Sequence, residues 1–88
     1  MDLSCGEGFK LQRDEVVLSE IYLDSIESGG VTLRVKSGNG TSIIPLPYNY
    51  KLAVGEVYII PRANGRDTNS LEIDVFKETE GISIVPFH

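Results

Sequence analysis

The chain has 88 residues, 41% hydrophobic and 24% charged, with 13 acids against 8 bases and a formal net charge of −5. That length makes one domain. The apolar content is too high for a disordered chain, and no apolar run approaches the ~20 residues that span a bilayer. An acidic total disfavours nucleic acid as a partner, because its binding rests on lysine and arginine neutralising phosphates.

Residues 1–8 belong to a polar, glycine-containing start, MDLSCGEGF, and are expected to form a mobile N-terminal segment. An acid stands where a signal peptide needs positive charge, and no apolar segment follows. Cys5 is the single cysteine, so no internal disulfide can form, which fits a reducing compartment. Together these features predict a cytoplasmic protein.

From residue 9 onward no window carries a helical period. Apolar residues recur at every second position, and Gly, Pro, Asn and Ser interrupt them at short intervals, which predicts antiparallel strands and hairpins. Residues 9–12 make the first strand, Arg13-Asp14 a break and 16–18 the next strand. Residues 21–26 follow, with a slip of parity at Ser25-Ile26 that suggests a bulge. Glu27-Ser28-Gly29-Gly30 closes a hairpin, with the paired glycines expected at positive φ. Residues 31–35 return, and Ser37-Gly38-Asn39-Gly40 turns again.

Ile44, Leu46, Tyr48, Tyr50, Leu52 and Val54 share one parity, the longest regular pattern in the chain. Pro45 and Pro47 share the other, which makes 43–47 an edge strand or extended connection, since proline cannot donate to a ladder. Val54-Gly55-Glu56 turns into a strand over 57–60 that Pro61 ends, and a polar loop with Asn64-Gly65 follows. Residues 71–76 and 82–85 are the last strands, joined through Glu80-Gly81. The fold class is therefore all-β: a small antiparallel barrel or sandwich of six to eight short strands, the barrel preferred.

Catalytic groups are scarce. The only histidine, His88, is the last residue, with nothing to hold it as base or ligand. One His and one Cys cannot complete the usual zinc sites, so no metal and no cofactor are expected. The carboxylates fall at outward strand positions or in turns, and no nucleophile or phosphate-loop motif is present. These residues predict a protein that is not an enzyme.

Binding residues are easier to nominate. Glu20, Tyr22 and Asp24 alternate outward on one strand, facing Thr32, Arg34 and Lys36 on the next. Opposite charges across the pair explain much of that pattern, but not Tyr22. Glu72, Asp74 and Phe76 repeat the combination of two acids and an aromatic. If both strands lie in one sheet, they form an acidic-aromatic face suited to a basic macromolecular partner, since aromatics anchor and charges steer.

An alternative is a small anionic ligand such as a nucleotide. Arg62 and Arg66 would clamp it, helped by Lys36 and Asn39, with a subunit interface as one place for the site. A monomer so small is expected to expose an edge at 43–47 and some of Val57, Ile59 or Val85. A homo-oligomer, most simply a C2 dimer meeting at Tyr48 and Tyr50, follows. Those two rings beside the prolines have a second reading, as a cap on the core with their hydroxyls in water.

Leu52-Ala53-Val54-Gly55-Glu56, with the strand after it, resembles a turn of the small β regulators of the carbon-storage translational type. That family is more basic and binds RNA through arginines near its sheet edges, whereas residues 81–88 hold no arginine, and its function is not carried over. The sequence predicts instead a small homo-oligomeric inhibitor or adaptor, of bacterial or phage type, that binds a protein.

Overall fold

The computed structural model describes residues 1–38, 40–62 and 69–87, and every regular element in them is a strand. In chain order these are β1 Asp2–Ser4, β2 Gly8–Arg13, β3 Val16–Ile26, β4 Gly30–Ser37, β5 Gly40–Pro47, β6 Leu52–Val54, β7 Val57–Arg62, β8 Ser70–Lys77 and β9 Ile82–Phe87. They form two antiparallel sheets, one of four strands in the order β1-β8-β7-β6 and one of five in the order β5-β4-β3-β2-β9. The protein is all-β, as its period of two predicts. No ladder joins the two sheets among the described residues, so the arrangement is a sandwich and not a closed barrel.

One apolar cluster fills the space between the sheets. Leu3, Val57, Ile59, Leu71 and Ile73 come from the four-stranded sheet; Phe9, Leu11, Ile21, Leu23, Val31, Leu33, Val35, Leu46 and Ile82 come from the other. These are the inward members of the alternating runs, and their burial supplies the main driving force for the fold. Of the three residues a monomer is expected to bare in part, Val57 and Ile59 are buried, 1% and 0% exposed, and Val85 is half-buried. The large apolar side chains left exposed are Val16, Val17, Leu18, Ile43, Tyr50 and Phe76.

Several local expectations need correction. The first residues are not a free tail: β1 pairs with β8 through Asp2↔Glu72, Leu3↔Leu71 and Ser4↔Ser70, and Leu3 is buried. A three-residue strand with one apolar member is too short to show a period. Residues 16–18 and 21–26 form one strand, β3, which carries two bulges. The steps Gln12↔Val17 to Leu11↔Ser19 and Leu23↔Leu33 to Ser25↔Thr32 leave Leu18 and Asp24 as the extra residues. The second bulge is the parity slip visible in the sequence.

Neither Gly29 nor Gly30 adopts a positive φ. Gly30 is needed for a different reason: a Cβ there would lie 2.4 Å from the Leu46 carbonyl oxygen, so β5 approaches too closely for any side chain. The long shared parity from Ile44 to Val54 belongs to two strands in different sheets. The chain turns at Tyr48-Asn49, with Asn49 at φ 68°, and there crosses from β5 to β6. β5 itself is the proline-bearing edge strand the sequence indicates.

Pro61 does not end β7. It pairs with Ile73, whose N–H and carbonyl point the other way, to Met1. Pro61 therefore stands at a position that does not bond β8, and β6 reaches no further along β7 than Ile59. Its missing N–H is not needed by either neighbour.

Candidate functional site

The sandwich presents two outer faces, and the six nominated partner-binding residues divide between them. Glu20, Tyr22 and Asp24 lie on β3 in the five-stranded sheet; Glu72, Asp74 and Phe76 lie on β8 in the four-stranded sheet. They do not form one surface.

On the five-stranded sheet the register sets Glu20 opposite Lys36 and Tyr22 opposite Arg34. Arg34 stacks on the Tyr22 ring with its guanidinium carbon 4.9 Å from the centroid, and the Lys36 ammonium is 5.5 Å away. A cation over an aromatic face at such a site is worth about 0.5–1 kcal/mol. The Tyr22 hydroxyl donates to Glu20 Oε1 at 2.8 Å, and Asp24, displaced by its bulge, pairs with Arg34 at 3.4 Å. From the other side Phe87 meets Tyr22 edge-on, with centroids 5.1 Å apart. The two rings touch because Gly8 stands between them, paired with both Tyr22 and Phe87 and contributing no side chain. Tyr22 is thus accounted for within the chain. Its hydroxyl is held above the ordinary value of 10, first by the hydrogen bond to Glu20, then by burial and the Glu20 charge, against an opposing pull from Arg34.

The outer face of the four-stranded sheet is different in kind. β8 sets Glu72, Asp74 and Phe76 outward, and β7 sets Arg62, Ile60 and Tyr58 directly opposite them. Arg62 Nε donates to Asp74 Oδ2 at 2.8 Å and its second nitrogen to Asn49 Oδ1 at 3.2 Å, while the Met1 amino group lies 3.2 Å from Glu72. Tyr58 donates to the Glu78 carboxylate and carries the Lys51 ammonium 4.4 Å from its ring centroid. The bond to Glu78, then its charge and burial, raise the Tyr58 hydroxyl above its ordinary range. Phe76, opposite Tyr58, remains 51% exposed. Asp74 is the next outward residue along β8, and Glu78 bonds the tyrosine opposite; Glu72 and its β1 partner Asp2 lie further along the same face. Surface ion pairs such as Arg62–Asp74 add little stability and leave the carboxylates reachable.

The remaining nominated residues are scattered. Lys36 and Arg62 lie on different sheets, and Arg62 is engaged by Asp74 and Asn49. Arg66 and Asn39, like His88, lie outside the described residues. Tyr48 packs against the core and donates to the Glu27 carbonyl at 2.7 Å, whereas Tyr50 is 66% exposed. The described residues contain no group of three or more His, Cys, Asp or Glu able to hold a metal ion, and no helix long and apolar enough to cross a membrane.

Sequence reasoning missed Tyr58, Glu78, Lys51 and Phe87. Tyr58 was readable, since it alternates with the inward Val57 and Ile59. Lys51 and Glu78 sit in connections where no period applies. Also missed was a clasp at one end of the sandwich, where Arg13 on β2 reaches Glu56 in the β6–β7 turn at 2.5 Å and Thr79 at 3.3 Å. Comparison with protein-family models, with curated proteins and with solved structures finds no match.

Proposed function

We propose that the chain is a non-enzymatic protein-binding module, an adaptor or inhibitor, that docks a basic partner on the outer face of its four-stranded sheet. The observation that carries the reading is Phe76, half exposed beside Tyr58 and Ile60, with Asp74 next to it on the outer face, Glu78 on Tyr58 and Glu72 further along β8. A partner burying Phe76 gains an aromatic anchor, and lysines or arginines around that anchor meet carboxylates. The matching trio on the other sheet supports the reading less, because Tyr22 is already enclosed by Arg34, Lys36 and Phe87. Association with a second copy, expected from the small size, draws its support from Tyr50 and from Val16, Val17 and Leu18, with Tyr48 occupied inside the chain.

The test is affinity capture at two salt concentrations with the wild type, a Phe76→Ser/Asp74→Asn variant and an Ile43→Ser variant. Ile43 is 58% exposed on the opposite sheet and serves as the control. The reading requires partners that weaken with salt, are lost by the first variant and are kept by the second. Partners retained by Phe76→Ser/Asp74→Asn refute it.

A further inference from the structure

β8 pairs with β7 from Glu72 to Lys77, but β1 covers its other edge only as far as Ile73, which exchanges backbone bonds with Met1 at 2.7 and 3.1 Å. Residues 74–77 have no ladder partner on that side among the described residues. In an antiparallel strand the bonding direction alternates residue by residue. Val75 and Lys77 share the direction of Ile73, so their N–H and carbonyl groups point out of the sheet. The pairing of Ile73 with Pro61, which has no N–H to offer, fixes that phase independently.

The other free edges are guarded. β5 carries Pro45 and Pro47 and β9 carries Pro86, β1 and β6 are only three residues long, and the exposed end of β3 holds the bulge at Leu18. Prolines, shortness and bulges are the ordinary means of preventing edge pairing. The edge at 74–77 has none of these, only Lys77 at its last position. Beside it opens a cleft of about 530 Å³ lined by Met1, Ile73, Asp74, Val75, Phe76 and Ile84, where the edges of the two sheets diverge.

We infer that this edge takes up an extended peptide segment of the partner as an added strand, in line with β1. The peptide's backbone bonds Val75 and Lys77, an apolar side chain enters the cleft beside Val75 and Ile84, and lysines or arginines on either side meet Asp74 and Glu72. Main-chain bonds supply affinity and alternate side chains supply specificity, the logic of strand addition. The inference rests on the acidic-aromatic reading of this face and specifies what kind of partner it takes.

The probe is a fluorescent heptapeptide of alternating lysine and valine, followed by anisotropy against the wild-type chain, with amide exchange read residue by residue. A second probe carries N-methyl groups on the amides of one edge, and a third on the amides of the other, since only one edge can face β8. Saturable binding is expected, with slowed exchange at Val75 and Lys77, and with one methylated probe weakened roughly tenfold or more while the other is unaffected. Both methylated probes use the unaltered protein, so failure to fold cannot mimic the result. Binding that Phe76→Ser abolishes but neither methylation alters overturns strand addition and leaves the docking face standing. No binding by any probe overturns both. Slowed exchange at Val75 and Lys77 that depends on protein concentration without peptide assigns the edge to a second copy and also overturns the inference.

Discussion

The β2–β3 hairpin closes through Asp14 and Glu15, which stand at φ 51° and 68° between the paired Arg13 and Val16. Two positive φ values in a two-residue loop define the mirror-image turn that matches strand twist, for which Asn-Gly is the preferred pair. A residue with a side chain held in this region costs on the order of 1–2 kcal/mol, and asparagine less. Glycine removes the clash at position 15 but adds unfolded-chain entropy of roughly 0.5–1 kcal/mol. The net gain from glycine at 15 is therefore about 0.5–1 kcal/mol, and for a domain this size 1 kcal/mol moves the melting temperature by roughly 4–8 °C. Comparing Asp14→Asn/Glu15→Gly with Asp14→Asn/Glu15→Gln isolates that term, because both remove the same two charges. Thermal unfolding by circular dichroism should place the glycine variant about 2–8 °C higher. A glycine variant that melts at or below the glutamine variant refutes the turn assignment.

Gly30→Ala should destabilise by about 1–3 kcal/mol or more, measured by urea unfolding, since its Cβ would lie 2.4 Å from the Leu46 oxygen and 2.7 Å from Pro47 Cα, both backbone atoms. Leu3→Ala should cost roughly 2–5 kcal/mol in the same assay if β1 is part of the core, and near zero if the segment is a free tail. The neutral hydroxyls of Tyr22 and Tyr58 are the hydrogen-bonded forms, so their contribution is complete below pH 10 and is lost as pH rises through their higher folded values. Ultraviolet titration should show both ionising late, and Glu20→Gln should return Tyr22 toward 10; an unchanged Tyr22 curve in that variant removes Glu20 as the cause.

The sequence made strand periodicity and turn positions legible wherever a strand was long enough to repeat its parity. Residues 31–35 alternate cleanly, and the short turn before them makes β3 their partner, with the bulge at Asp24 completing the register. Two kinds of information were not local. One is which sheet a strand joins: the shared parity of Ile44 through Val54 runs unbroken across a change of sheet, because parity counts residues and does not register a turn at Tyr48-Asn49. The other is why a glycine stands where it does. Gly30 sits in a turn-like stretch and invites a conformational reason, yet the reason is the carbonyl of Leu46, sixteen residues further along, 2.4 Å from where a Cβ would be.

The same limit explains why the two trios looked alike. Glu20-Tyr22-Asp24 and Glu72-Asp74-Phe76 each join two acids to one aromatic, and an outward aromatic beside carboxylates reads as a docking patch in both. What separates them is the neighbouring strand. β4 brings Arg34 and Lys36 onto the ring of Tyr22, and the side chain missing at Gly8 admits Phe87 to its edge, so cations and a second ring occupy the places a partner would use. β7 brings Tyr58 and Ile60 beside β8; Arg62 is held by Asp74 and Asn49, and Lys51 lies over the ring of Tyr58, so the cations of this face stand on neighbouring groups and Phe76 itself stays uncovered. A strand's own residues set which face it offers. The cross-strand residues decide whether that face is already taken.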